Sequence, residues 1–556
     1  MLQKIPKLFL YFLGAILALN LLQAHFTELM YDEAYYWYYS QNIDWGYFDH
    51  PPMVAWMIKL SSFFFNGELG VRFVSCILSI GTLIILWSLI DNTKKKDHVV
   101  HFFVLVFSMT LLNAYGFFTL PDTPLLFFTA AFLWVYKKFI IKPSLVLALI
   151  MGILMAALMY SKYHAVLVIV FVLLSNLKLL TNTYAWVSVI MALLCYSPHF
   201  LWLYEHDFVS IKYHLFERPN QSYKFTKFTL GFFLNLIAIF GFTFPIAYWA
   251  LFKTKFSNTF VKALVYLTYG VIIFFFISSF SKRVQTQWVI IISIPMAIII
   301  FNYILENQIF RKWIYILGIV NIVLLSYARL GLIHEALLPI HYETHGNKYF
   351  AEIVEKEAGD TPVIFENSYR KTPMYAFYSG NTSFSLNNIF YRQNQYTIDD
   401  SESKVQHQKI LYISKYLNKE KITFNKRNSK SIYYGKYINN FESFRKLRCF
   451  IDTKSITYDT TKTHILKIYN PYTIDIDLKK LKFKIAYLSE YKKLLEHKSL
   501  SLTAIDSSLS TLKSKDTTYF NFKFPEKTIQ NSGYFKFSIS ENDLPYGINS
   551  TSIKFD

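Results

Sequence analysis

The chain has 556 residues, 53% hydrophobic and 19% aromatic but only 17% charged, a balance that excludes an ordinary soluble protein of this size. Many of the Lys and Arg behind its net charge of +20 sit in short loops between apolar runs, which argues against a nucleic-acid surface and for the orientation signal of a membrane protein. Three scattered cysteines, Cys76, Cys195 and Cys449, offer neither a metal-ligand spacing nor a disulfide framework.

Taken in chain order, apolar runs long enough to cross a bilayer predict about eleven spans, at 8–27, 72–91, 99–118, 124–141, 144–160, 164–177, 184–203, 229–252, 260–279, 288–304 and 313–333. The first follows Lys4 and Lys7 without a small-residue cleavage site and reads as an uncleaved helix. The run 144–177 is interrupted by Ser161-Lys162-Tyr163-His164, which predicts two short spans meeting at a polar break. With the N-terminus inside, the cytoplasmic loops carry Lys94 to Lys96, then Lys137, Lys138 and Lys142, then Lys178, then Lys253, Lys255 and Lys262, then Arg311 and Lys312. The outer side then receives 31–52, Pro121-Asp122, the Lys162 break, the loops 204–228 and 281–287, and everything after Leu338. Three outer segments carry cations against the rule: Lys162, Lys212 with Arg218, and Lys282 with Arg283. A lipid phosphate would partner such cations; snorkelling towards headgroups is the bland alternative.

The expected fold is therefore an α-helical polytopic membrane protein with a C-terminal soluble region outside the cytoplasm. The expected organisation is a membrane domain over 1–338, an α/β domain over 339–445 and a β-rich domain over 446–556. "TPVIFENSYRKTPMYAFYSG" predicts a strand at Val363 to Phe365 and a helix ending near Gly380. Further on, "HILKIYN", "LKFKIAYL", "TYFNFKF" and "GYFKFSI" alternate apolar and polar residues, as in an antiparallel sheet or small sandwich.

The segment "YDEAYYWYYSQNIDWGYFDHPP", Tyr31 to Pro52, suits the boundary between membrane and water, where aromatic rings sink and their polar edges stay wet. It brings Asp32, Glu33, Asp49 and His50 to that boundary, and Pro51-Pro52 prevent a regular helix from continuing there. Two adjacent carboxylates in a half-dry site would raise the pKa of one of them, which suits a base. Asp122 is either a helix N-terminal residue favoured by the dipole or a ligand for a substrate. Lys162 lies in so apolar a stretch that leaving it unpaired would cost roughly 2.5 kcal/mol or more. Its partner is either a lipid phosphate or an internal carboxylate such as Asp122 or Asp32. His164 reads as a structural residue. No metal-ligand spacing is strong, so a metal or other cofactor stays undecided.

An acidic pair after the first span, an aromatic run and "GYFDHPP" together resemble the first outer loop of bacterial GT-C membrane glycosyltransferases. The branch is that of the protein O-mannosyltransferases and the lipid A aminoarabinose and galacturonic acid transferases. "LPDTPLLFF", "YSKYHAVL", "FERP" and "KRVQTQW" agree in order, so the resemblance covers roughly residues 1–340. It implies an enzyme of the inner or plasma membrane that moves a sugar from a polyprenyl-phosphate carrier to a hydroxyl of an envelope acceptor on the outer side. By the same resemblance Asp32 is the base, and Glu33 orients it or a metal. Asp49, His50, Asp122, Lys162, Arg218, Lys282 and Arg283 bind substrate. The loop's continuation as a Tyr-rich run departs from the protein O-mannosyltransferases and makes a lipid or glycan acceptor the better expectation than a protein. A flippase for lipid-linked sugars is the main alternative. Against it, the acidic groups lie at span ends and no internal repeat stands out. An assembly scaffold would explain the tail but not the ordered polar loops.

Overall fold

The computed structural model describes residues 5–417, 420–426, 431–529 and 531–556. The chain divides into two compact units, one of Met1–Asp207 with Tyr223–His345, the other of Phe208–Ser222 with Gly346–Asp556.

The first unit is helical. Six helices are long and apolar enough to cross a membrane by length and composition: Lys7–Phe26, Gly67–Leu89, Thr183–Glu205, Thr229–Lys253, Thr259–Ser278 and Gln308–Ile333. Shorter apolar helices occupy Leu145–Ser161, Tyr163–Ser175 and Ile290–Glu306, and Asp122–Phe139 adds another. Phe9, Trp87, Phe102, Leu133, Ile294 and Phe301 belong to the common apolar core. The expected break at Lys162 is present, since its backbone is extended (φ −164°, ψ 140°) and ends the preceding helix.

Two expected spans are less regular than their hydropathy suggests. The run 99–118 forms two helices, Val99–Ser108 and Thr110–Ala114, separated at an extended Met109. Side chains occupy carbonyls near this break: Asn113 Nδ2 donates to Phe107 O at 2.9 Å and Asn321 Nδ2 to Ser108 O at 3.4 Å. The run 229–252 is broken at Gly241, whose φ of 54° favours glycine. Asn321 braces that break, donating to Phe240 O and accepting from Phe242 N. A Cβ at Gly241 would lie 2.3 Å from Asn321 Nδ2.

Polar ties join the last helix to the first. Arg329 is buried, donating through Nε to Asn113 Oδ1 (2.8 Å) and through Nη2 to Asn20 Oδ1 (2.9 Å). Gln23 Nε2 donates to Arg329 O at 3.0 Å. In an apolar solvent such groups need internal partners, so each bond also selects which helix faces meet.

The second unit contains a mixed sheet with strand order Ser383–Leu386, Val363–Glu366, Ile410–Ser414, Ile432–Ile438, Ile422–Asn425. The first three strands run parallel, with Val363 beside Ser383 on one side and Leu411 on the other. Helix Lys371–Ser379 forms the crossover and stops at Gly380, where φ is 75°. The remainder is β-rich. A five-stranded sheet is built around Leu481–Leu488 and Tyr534–Glu541, a four-stranded sheet around His464–Tyr469 and Thr517–Phe522. Leu466, Ile468, Phe520 and Phe522 of one sheet share a core with Ile485, Tyr487, Phe535 and Phe537 of the other, a sandwich arrangement. Glu217, from the 208–222 segment, is held in this unit by Lys536 (3.0 Å) and by Ser552, whose Oγ donates at 2.9 Å.

Candidate active site

The acidic segment after the first helix folds as helix Tyr31–Gln41, with Asp32 and Glu33 in its first turn, where the helix dipole favours them. Glu33 Oε2 accepts from Met30 N at 3.0 Å, closing the helix start. The same carboxylate, 0% exposed, takes a bidentate pair from Arg72, Nε to Oε1 at 2.8 Å and Nη2 to Oε2 at 2.5 Å. Thr119 N completes the set, donating to Oε1 at 2.9 Å. Two oxygens with four donors fill a carboxylate's ordinary capacity. Glu33 therefore clamps three pieces together: its own helix, the helix carrying Arg72, and the turn that leads into Asp122.

Arg72 does more. Its guanidinium also donates to Ala24 O (3.0 Å), Thr27 O (2.5 Å) and Glu28 O (3.0 Å). Carbonyls at the end of the first helix, orphaned by geometry, are thus satisfied by an arginine from the next long helix.

Asp32, beside Glu33, is half-buried. Two tyrosines lie within electrostatic reach of it, Tyr115 and Tyr342. Tyr115 also lies within electrostatic reach of Asp122, so one phenol neighbours both Asp32 and Asp122. Asp122 is the first residue of helix Asp122–Phe139 and is buried. Its Oδ1 accepts from Lys162 Nζ at 2.7 Å, both side chains less than a tenth exposed. Of the partners open to Lys162, the internal carboxylate is thus present. One ammonium proton is used in this bond, out of three.

Asp49 is buried and accepts from the Tyr39 hydroxyl at 2.7 Å. Burial, with Asp49 beside it, pushes the Tyr39 phenol well above its ordinary range, so Tyr39 stays a donor. The Tyr39 and Tyr47 rings stack with centroids 4.2 Å apart, and Tyr47 donates to Tyr39 O and Asn42 O at 3.0 Å. These contacts hold the loop that delivers His50, whose ring meets Tyr36 edge-on at 5.3 Å. After Pro51-Pro52 the chain starts a new helix, Met53–Ser62, with Pro52 as its N-cap.

Asp32, Glu33, Asp122 and Lys162 thus gather in the first unit, through Arg72, Thr119 and Tyr115. Asp49 and His50 belong to the same loop as Asp32. Arg218 lies in the 208–222 segment of the second unit, next to the anchored Glu217. Lys282 and Arg283 are exposed in the turn after helix Thr259–Ser278. His164 packs between Phe275 and Trp288, at 5.5 and 5.3 Å. Sequence reasoning passed over Arg72, Tyr115 and Tyr342. Of these only Arg72 would have carried a signal, an arginine within an apolar helix needing a partner, had the helix been drawn from Gly67.

Glu335, His341 and His345 bring one potential metal-ligating atom each within 4.8 Å. His345 is already committed through both nitrogens, Nε2 to Gly331 O at 2.8 Å and Nδ1 accepting from Tyr342 N at 3.1 Å. The cluster as folded is a hydrogen-bonded corner, with Glu335 Oε1 on His341 Nδ1 at 2.7 Å.

The sequence model of a family described as dolichyl-phosphate-mannose-protein mannosyltransferase matches residues 49–202, a stretch that contains Asp49, His50, Asp122 and Lys162. The lipid A galacturonosyltransferase RgtD of Rhizobium johnstonii is 24% identical over 193 residues, 34% of this chain. That alignment spans 41% of the relative's length. The crystal structure of ArnT from Cupriavidus metallidurans bound to undecaprenyl phosphate shares the fold, with a TM-score of 0.52 at 13% identity. The match covers 76% of this chain and 97% of ArnT. The resemblance read from the outer-loop motifs is borne out: in fold this is a GT-C-type polytopic membrane protein, similar in sequence to the protein O-mannosyltransferase and lipid A glycosyltransferase branch.

Proposed function

We propose that the protein is an integral-membrane glycosyltransferase that moves a sugar from a polyprenyl-phosphate carrier to a hydroxyl of a cell-envelope lipid or glycan on the extracytoplasmic side. The observation that carries this reading is the grouping of Asp32 with the buried Asp122–Lys162 pair through Tyr115. The names of the relatives, a lipid A galacturonosyltransferase and an undecaprenyl-phosphate-bound ArnT, support it.

Asp32 takes the proton of the acceptor hydroxyl. The acceptor oxygen forms the new bond to the anomeric carbon as the bond to the carrier phosphate breaks, and the phosphate leaves with the electron pair. Lys162, one N–H on Asp122 and two to spare, stabilises that leaving group, since fixed donors aimed at developing charge need no reorganisation. Asp49 and His50 are assigned to the donor and Lys282 and Arg283 to further cations of the same unit, while Arg218 is assigned a substrate contact of its own in the second unit. Glu33 acts through position: its clamp sets Asp32 against Asp122.

The test is Asp32→Asn in purified protein reconstituted with lipid and a polyprenyl-phosphate sugar. Loss of a positioned base should slow transfer ~100-fold or more while carrier binding persists. Undiminished transfer would remove Asp32 from the role. Transbilayer movement of the lipid-linked sugar, with no transfer by the unaltered protein, would replace the enzyme with a flippase.

A further inference from the structure

A cavity of about 380 Å³ lies wholly within the second unit, holds none of the residues assigned above, and has Glu366, Asn388, Phe390, Tyr416, Lys484 and His497 in its lining. Its volume falls in the ~300–1,000 Å³ of small-molecule sites, where apolar walls carry a few convergent polar groups.

One part of the lining is cationic. Lys484 Nζ donates to His497 Nδ1 at 3.2 Å and stands 4.3 Å from the Tyr546 ring centroid, another lining residue. Among the described residues no carboxylate pairs with Lys484. The bond to Nδ1 requires a neutral imidazole with its proton on Nε2, and burial together with Lys484 lowers the His497 pKa accordingly. The pair thus offers a half-buried ammonium and an imidazole N–H without an anion. Another part of the lining is an acceptor: Glu366 takes bonds from Asn388 Nδ2 at 2.6 Å and from the Ser414 hydroxyl, with capacity for more. Two lining rings are unusually exposed, Phe390 at 64% and Tyr416 at 70%.

Exposed aromatic faces, an acceptor carboxylate and an unpaired cation around one monosaccharide-sized space match one ligand chemistry. Sugar C–H faces pack on rings, sugar hydroxyls donate to carboxylates, and a carboxylate or phosphate on the sugar fills the cationic end. We infer that this cavity is a binding site for an acidic saccharide unit. The site is complete within the second unit and shares no residue with the transfer reaction proposed above.

The full chain, purified in detergent without donor lipid, is titrated calorimetrically with glucuronate, glucose 6-phosphate, glucose, acetate and inorganic phosphate. At least one acidic sugar should bind tenfold or more tighter than glucose and than the corresponding free anion. Lys484→Met should erase that advantage and leave glucose binding as it was. Tyr416→Ala, at an exposed loop position, should weaken every sugar threefold or more with an unchanged melting curve. Asp32→Asn should leave all these affinities alone, which separates this site from the one in the helical unit. Equal binding of glucose and the acidic sugars, equal binding of the free anions, indifference to Lys484→Met or Tyr416→Ala, or loss on Asp32→Asn would each overturn the assignment.

Discussion

Replacing Arg72 by methionine keeps the apolar bulk of the side chain and strands Glu33 in a fully buried place. Glu33 would retain Met30 N and Thr119 N but lose both charge-assisted bonds from the guanidinium. Removing one partner of a buried pair typically costs about 3–5 kcal/mol, because the other charge stays desolvated. Three further carbonyls, of Ala24, Thr27 and Glu28, lose their donor at the same time, so the upper end of that range is expected. Glu33→Gln alone leaves Arg72 charged among carbonyls and should cost less. The double variant removes the stranded charge and should be milder than the sum of the singles by ~0.5–3 kcal/mol, the coupling found for residues in direct contact. The assay is reversible unfolding in mixed micelles, followed by circular dichroism, for the four proteins of the cycle. A loss below ~1 kcal/mol for Arg72→Met, or strict additivity of the two changes, would refute the clamp; the expected range is the one for buried pairs.

Asp122→Asn and Lys162→Met should each lower folding stability by a similar ~3–5 kcal/mol, and the double variant should regain most of it without regaining transfer, read by micelle unfolding and product mass spectrometry. Tyr115→Phe keeps the ring and removes the hydroxyl within reach of Asp32 and Asp122; transfer should fall several-fold with little change in unfolding. Gly241→Ala forces a side chain into a left-handed position against Asn321 and should cost ~1–3 kcal/mol, measured by the same unfolding assay. Burial, with Glu402 nearby, raises the Glu541 carboxyl to about 7 although Arg445 opposes the shift. Its folded value lies above its unfolded one, so its contribution is complete below the ordinary carboxylate range and is lost as pH rises towards 7; Glu541→Gln should flatten the melting temperature of the full chain across that window.

The helical character of the first part and its polar break at Lys162 were legible because hydropathy and a charged interruption act locally. The strands at Val363 and in the four alternating segments were legible for the same reason, since a half-buried strand repeats every two residues. What could not be read is what depends on distant pairs. The span drawn from 72 puts Arg72 at its edge, where an arginine passes for an interfacial one, whereas the helix starts at Gly67 and buries it. Its partner Glu33 was legible as acidic but not as saturated. The breaks at Met109 and Gly241 are sustained by Asn113 and Asn321, and no window of hydropathy contains that information. For Lys162 the sequence left a lipid phosphate and an internal carboxylate, Asp122 or Asp32, as alternative partners; only the fold brings Lys162 Nζ and Asp122 Oδ1 to 2.7 Å.

Glu217 finds its partners among residues made much later: Lys492, Lys536 and Ser552, the last 335 positions downstream. On a ribosome the helices before and after the 208–222 stretch emerge long before those partners exist. Glu217 must therefore wait for these partners until translation has nearly finished, although Arg392 can already reach Tyr213 of the same stretch, and a premature stop anywhere before Lys492 deprives Glu217 of every one of these anchors. The late-made strands thus fasten a segment synthesised near the middle of the chain.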